Sequence, residues 1–386
     1  MPRNPQTLLP GATLGMLGGG QLGRMFALAA RPFGFRIATC GDAADSPCGQ
    51  VSDVSFPGSF TDFDQLTRFA RTVSVVTYEQ ENIPLAAVEF LENLVPVFPG
   101  SLLLKAAQNR LLEKSAVRSI GIPTADFLAV SSAAELQAGL ETLGGDGILK
   151  TITMGYDGKG QIRVRQGDDS EAAWNSLGVS TAILEKRIEF AFEMSLVGAR
   201  FADSSCHFFA PTVNTHVNHI LDVSVCPSPL ITAALAEQAR EVTRAILEHF
   251  QVIGVLCVEF FAVSDSTLLV NEIAPRPHNS GHWTIEACRS SQFQQQFRAV
   301  AGLPSGDTTS DTAAVMVNLL GDHLQSLTCD RWKSALAVPH SAIHLYGKEE
   351  ARRGRKMGHI TALGKDPVEA EQRARHVRRL LGYQGN

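Results

Sequence analysis

Two glutamates and one crowded polar loop are the residues of this chain best suited to chemistry. Glu259 interrupts an apolar run over residues 255–263, and Glu272 interrupts a second over 267–273. Ser264, Asp265 and Ser266 separate the two runs as a turn would. A hairpin folded about Asp265 and Ser266 sets Glu259 directly opposite Glu272. Side chains so opposed have Cβ atoms about 4.5 to 5.5 Å apart, and like charges there repel. A cation between them relieves the repulsion, and paired carboxylates are oxygen ligands suited to magnesium, which waters and substrate phosphates complete. The alternative is a pair of strand-edge glutamates facing solvent. Just beyond Glu272, Pro275 and Pro277 stop the strand. Arg276, His278, Asn279, Ser280 and His282 then crowd around Gly281, more donors than a connecting loop requires.

Other stretches suit phosphate. Residues 147–151 form a strand with Lys150 at its end, and the loop 153–161 carries three glycines and Lys159. Such a flap can fold over phosphates with its N–H groups, although residues 156–159 also make a good hairpin turn. No Walker Gly-Lys-Ser/Thr ending is present. Upstream, Gly18, Gly20 and Gly23 stand between a strand over 12–17 and a helix, so the helix N-terminus can face an anion. Asp42, at the end of the strand 35–40, is where a nicotinamide cofactor's ribose would be held, which keeps an oxidoreductase as an alternative function. A glycine turn needed only for packing is the other reading. A third strand over 73–78 leads into Glu79, Gln80, Glu81 and Asn82, either a ligand crevice at a strand's carboxyl end or a solvated loop. Five basic residues within 348–356 could grip a phosphate monoester or simply face solvent. The pairs His216/His219 and His278/His282 invite zinc, but no cysteine lies near either pair, so zinc is not expected there.

The elements that must position these groups alternate between strand and helix, an α/β pattern. At 386 residues two or three domains are expected: a Rossmann-like unit over 1–100, a central unit over 101–310 with a flexible lid at about 122–190, and a small unit over 311–386. Ser101 is read as capping one helix through Ser119, and Asp366 and Pro367 as opening a last helix with Ala370, Ala374, Val377 and Leu381 on one face. Hydrophobic content of 44% excludes global disorder, and a net charge of -5 argues against a nucleic-acid partner. Seven cysteines without a Cys-x-x-Cys pair, no apolar leader and no run of ~18 apolar residues predict a cytoplasmic protein with no membrane partner.

Taken in order, residues 17–25, 155–161, 193–200, 271–284 and 354–359 resemble the 5-(carboxyamino)imidazole ribonucleotide synthases, an ATP-grasp family of bacterial and fungal purine synthesis. The likeness covers residues 13–361, and the Asn-Ser-Gly-His segment is its most specific part. The resemblance implies an ATP-grasp fold, ATP with magnesium or manganese as cofactors, bicarbonate and aminoimidazole ribonucleotide as substrates, and a homodimer. It places Arg110, Lys150, the loop of Gly155, Tyr156, Asp157, Gly158, Lys159, Gly160 and Gln161, and His216 around the triphosphate. Glu185, Lys186 and Ile188 would meet adenine, and Glu193 the ribose. Glu259 and Glu272 would hold the metal, with Asn271 beside them where related carboxylases have an asparagine at the position of Ala274. Arg276 would stabilise bicarbonate and carboxyphosphate. Asp157, Lys159 and Lys348 would contact the imidazole nucleotide and Arg355 its phosphate, with Gly20, Gln21, Leu22, Glu79 and Asn279 completing that subsite. Two departures stand out: Gln80 replaces an aromatic residue and Arg353 a proline.

Overall fold

The apolar run after the N-terminal prolines becomes β1 (Thr13–Leu17), an inner strand of a parallel sheet. Its neighbours are β2 (Arg36–Gly41), β3 (Val54–Pro57) and β4 (Val75–Tyr78), in the order β3-β2-β1-β4. The strand over 75–78 is therefore the fourth in sequence; Val54–Pro57, short and half-exposed, lacks the apolar continuity that marks a buried parallel strand. The computed structural model describes residues 6–153, 155 and 158–383.

A second sheet is antiparallel and carries the lysine strand. It comprises β5 (Phe127–Val130), β6 (Asp146–Thr151), β7 (Gln161–Arg165) and β8 (Ala182–Lys186), ordered β5-β8-β6-β7. Helices Ala133–Thr142 and Ser170–Leu177 pack beside it. Both start on a side chain that accepts an orphan N–H, Ser132 from Glu135 and Asp169 from Ala172.

The remaining strands form one large sheet: β9 (Phe192–Arg200), β10 (Cys206–Phe208), β11 (Thr212–Val217), β12 (Ile220–Cys226), β13 (Gly254–Ser264), β14 (Thr267–Ala274), β15 (Ala313–Leu320), β16 (Ser341–Leu345) and β17 (Lys356–Gly364). Its order is β14-β13-β9-β11-β12-β15-β17-β16, with β10 on β9. The C-terminal strands thus join the central ones through the β12–β15 ladder. Helix Gln292–Val300 packs on β9 and β13 and also against helix Gln21–Ala30, which couples the large sheet to the parallel one. Helix Pro367–Leu380 opens as its sequence requires, with Asp366 accepting from Glu369 N at 2.8 Å, and its Ala370, Ala374 and Val377 are fully buried against β15 and β17. Arg378 of that helix is buried and paired with Asp222 of β12.

One helical expectation is corrected. Residues 101–119 form two helices, Ser101–Ala107 and Arg110–Ser119. Asn109 breaks them: its side chain accepts from Leu111 N and Leu112 N, while Arg110 N donates to Ile152 O at 2.9 Å. Nor is Ser101 the cap. Gly100 takes that place, and the Ser101 amide and hydroxyl both donate to Glu92 at 2.7 Å.

Candidate active site

The hairpin forms with the expected opposition. β13 and β14 pair antiparallel, with Cys257 opposite Ala274, Val258 opposite Ile273 and Glu259 opposite Glu272. One residue further the register slips, so that Phe260 faces Val270 and Asn271 becomes the extra residue of a bulge. Bulges re-aim a side chain, and Asn271 lines the same cavity of about 1150 Å³ as both glutamates. The Glu272 side chain is 43% exposed and lies 3.5 Å from Arg110 Nη1, so its oxygens remain open to a further cation. Glu259 is paired with His278 Nε2 at 2.8 Å. Burial opposes the Glu259 charge, but His278 outweighs it and holds the carboxyl below its ordinary range. Burial likewise opposes protonation of His278, yet Cys257 and Glu259 keep it above the usual imidazole range. Two carboxylates and an amide around one cavity are oxygen donors that fit a hard divalent ion.

The polar loop after β14 is clamped from beneath. Gln292 accepts from His278 N at 2.9 Å and donates to His278 O at 2.7 Å, and Trp283, 1% exposed, donates through Nε1 to Thr212 at 3.1 Å. A Cβ at Gly281 would fall 2.6 Å from Gln292 Oε1, so only glycine lets the loop approach that amide. Thus held, Arg276 places Nη2 2.8 Å from Glu81 and donates from Nη1 to Pro277 O at 3.1 Å. Its buried Nε finds no partner among the described residues, and neither amide atom of buried Asn279 does. Both residues line the cavity, so donors stand ready for a ligand.

Arg110 and Lys150 also line the cavity, and Lys114 is buried just behind it. Lys150 Nζ donates to Glu185 Oε2 at 2.9 Å, and Lys114 Nζ lies 3.5 Å from the same oxygen while donating to Asn271 O at 3.0 Å. Burial would raise the pKa of Glu185, but the two lysines hold it low. Its carboxylate is thereby committed to them. Arg110 donates from Nη2 to Gly155 O at 3.0 Å and so links the glycine loop to Glu272 of the β13–β14 hairpin. His216 and Glu193 are 2.7 Å apart; burial disfavours the imidazolium and Glu193 more than compensates, raising its pKa.

The first glycine turn is already filled by carboxylates. Asp42 accepts from Gly19 N at 2.5 Å, and Glu79, 6% exposed, accepts from Gly20 N and, at 2.8 Å, from Gly23 N. These are the N–H groups a dinucleotide's pyrophosphate would need. The segment after β4 is therefore no solvated loop: Glu79 caps the turn and Glu81 fastens Arg276. Lys348 Nζ donates to Gln21 Oε1 and to Lys356 O, each at 2.6 Å, so the C-terminal segment reaches the same turn.

One cavity brings together Gly20, Gln21, Leu22, Glu79, Arg110, Lys150, Gly155, Gly158, Lys159, Gln161, Glu193, His216, Glu259, Asn271, Glu272, Arg276, Asn279 and Lys348. Gly160, Glu185, Lys186, Ile188 and Arg355 are not among its lining residues; the Arg355 guanidinium donates to Glu350 O at 3.0 Å. Tyr156 and Asp157 lie outside the described residues. The basic run divides: Lys348 and Lys356 line the cavity, whereas Arg352 and Arg353 are exposed. Sequence reading passes over Glu113 and Lys114. Glu113, buried, accepts from Ile273 N at 2.5 Å and so holds β14 next to Glu272. Their spacing from Arg110, at i+3 and i+4 on one helical face, was the available signal.

Three family models match in succession: a ribonucleotide synthetase preATP-grasp domain over residues 11–108, an ATP-grasp domain over 115–293, and a phosphoribosylaminoimidazole carboxylase C-terminal domain over 314–373. The chain is 41% identical over 359 residues to the N5-carboxyaminoimidazole ribonucleotide synthase of Brucella melitensis, covering 92% of this chain and 98% of the relative. A crystal structure of an N5-carboxyaminoimidazole ribonucleotide synthetase with ADP superposes with a TM-score of 0.91 at 39% identity, covering 96% of this chain and 97% of the other. The Aspergillus clavatus synthase, crystallised with ADP and 5-aminoimidazole ribonucleotide, superposes with a TM-score of 0.86 at 30% identity, covering 96% and 98%.

Proposed function

Because this chain belongs to the N5-carboxyaminoimidazole ribonucleotide synthases, within the ATP-grasp fold, we propose that it joins bicarbonate to the exocyclic amine of 5-aminoimidazole ribonucleotide. ATP is consumed, and N5-carboxyaminoimidazole ribonucleotide, ADP and phosphate form, a step of purine biosynthesis. The observation that carries this reading is the convergence on one cavity of the opposed Glu259 and Glu272, the loop-held Arg276 and Lys150 beneath the glycine flap.

The roles proposed here rest on the family resemblance and on the cavity's lining residues. Arg110, Lys150, Lys159 and the N–H groups of the flap hold the triphosphate, and Glu193 with His216 takes the ribose side. With the Glu185 carboxylate bound to two lysines, adenine is met by the backbone of the 185–188 segment. Glu259, Glu272 and Asn271 hold magnesium or manganese, which supplies charge neutralisation of the phosphates. A bicarbonate oxygen attacks the γ-phosphorus, the bond to ADP breaks, and carboxyphosphate forms beside Arg276, whose fixed charge meets the developing polyanion. The exocyclic amine then attacks the carboxyl carbon, phosphate leaves with the C–O bonding pair, and the amine loses a proton. Gln21, Glu79, Asp157, Asn279 and Lys348 orient the imidazole nucleotide, and Arg355 meets its phosphate. A homodimer in the cytoplasm completes the proposal; no described helix is long and apolar enough to cross a membrane.

The test is ADP release by the purified chain with magnesium ATP, bicarbonate and aminoimidazole ribonucleotide, compared with ATP alone. Glu272→Gln, which keeps shape but removes a ligand charge, is expected to abolish most turnover while the circular dichroism stays unchanged. Wild-type rates in that variant would overturn the metal assignment.

A further inference from the structure

Outside the nucleotide cavity, three side chains from separate segments converge. We propose that Glu286, His344 and His359 form a binding site for a divalent transition ion of the zinc class. One ligand atom of each lies within 4.8 Å of the others. His344 of β16 and His359 of β17 are direct cross-strand partners, and their rings stack 4.5 Å apart at 14°. Glu286 comes from the short helix Thr284–Ala287, with Oε1 2.6 Å from His344 Nε2. None of the three lines the cavity that holds Glu259 and Glu272.

A plain ion pair between His344 and Glu286 accounts for only part of this cluster. His359 is fully buried, and its Nε2 has no hydrogen-bond partner among the described residues; the same is true of Glu286 Oε2. Tyr346 Oη stands 2.9 Å from His359 Nδ1, which leaves Nε2 as the ligating atom. Metal-bound histidines are held through their second nitrogen in this way. Buried polar atoms are rarely left unpaired, and a shared cation satisfies both at once. Two imidazoles and one carboxylate are a donor set for zinc with a fourth position left to water, whereas magnesium prefers oxygen alone. The His344 side chain, 30% exposed, provides the entry path. An ion here would tie the segment following His278 to the C-terminal strands.

The full chain, stripped of metal by chelation and then kept in saturating magnesium, is titrated with zinc and separately with cobalt(II). One equivalent of zinc is expected, with the strong visible absorption of tetrahedral cobalt. His344→Ala and the isosteric Glu286→Gln should each weaken that binding by roughly 100-fold, more than the loss of an outer partner costs, and Tyr346→Phe by about 10-fold. Glu259→Gln should leave it unchanged, because the magnesium ligands are a separate set. The proposal is overturned if the chain takes up no zinc, if His344→Ala and Glu286→Gln bind as wild type does, or if Glu259→Gln removes the same equivalent.

Discussion

Replacing Arg276 by lysine isolates the contribution of a planar donor fork at constant charge. In the structure the guanidinium is tied by Nη2 to Glu81 at 2.8 Å and by Nη1 to Pro277 O at 3.1 Å, with Nε left facing an unfilled role. A lysine ammonium can meet Glu81, and this is why Lys rather than Ala is informative: the carboxylate is not stranded in a half-buried place. What it cannot do is hold Glu81 and a second anion in two fixed directions at once. The loss is that of one preorganised donor, a factor of roughly 10² to 10³ in turnover, or about 2.7 to 4 kcal/mol. ATP affinity should stay near that of the wild type, since Arg110, Lys150 and Lys159 are untouched and the charge at residue 276 is kept. The assay measures bicarbonate-dependent ADP release and carboxylated product in parallel, with ATP binding measured separately by calorimetry. Retained turnover together with weakened ATP binding would refute the reasoning and make Arg276 a nucleotide ligand.

Two further outcomes are expected. NAD and NADP should not raise the melting temperature, because Asp42 and Glu79 already occupy Gly19 N, Gly20 N and Gly23 N; aminoimidazole ribonucleotide should raise it, and stabilisation by NAD alone would reverse the assignment of that turn. The second concerns acid stability through His323, which burial and Arg378 push from 6.5 down to about 4 against the opposing pull of Asp222 and Asp322. The unfolded chain then binds the proton first as pH falls, so this contribution is intact above about pH 6.5 and is lost toward pH 4, by up to about 3 kcal/mol. His323→Gln can still accept from Leu320 N and should flatten the decline in melting temperature between pH 7 and pH 5; equal slopes in both proteins would count against it.

Much of this protein was legible without coordinates, because local rules suffice where neighbours in sequence are neighbours in space. A turn at Asp265 and Ser266 between two apolar runs points to the β13–β14 opposition of Glu259 and Glu272, which is kept because the register slips at Val263 and at Asn271 cancel; helix Pro367–Leu380 needs only its cap and an apolar stripe. The glycine turn after β1 is local too. Its occupant is not: whether those N–H groups meet a ligand phosphate or the protein's own Asp42 and Glu79 depends on β2 and β4 flanking β1, a question of sheet order. The same holds for Arg276, whose partner Glu81 lies nearly two hundred residues earlier, in the segment after β4, and for Glu185, whose charge is absorbed by Lys150 and Lys114. Sequence patterns determined the family and the pairing of the hairpin carboxylates. Tertiary structure alone decided which charges neutralise each other, since a buried charge takes whichever partner the packing brings within about 3 to 4 Å, and chain order carries no record of that distance.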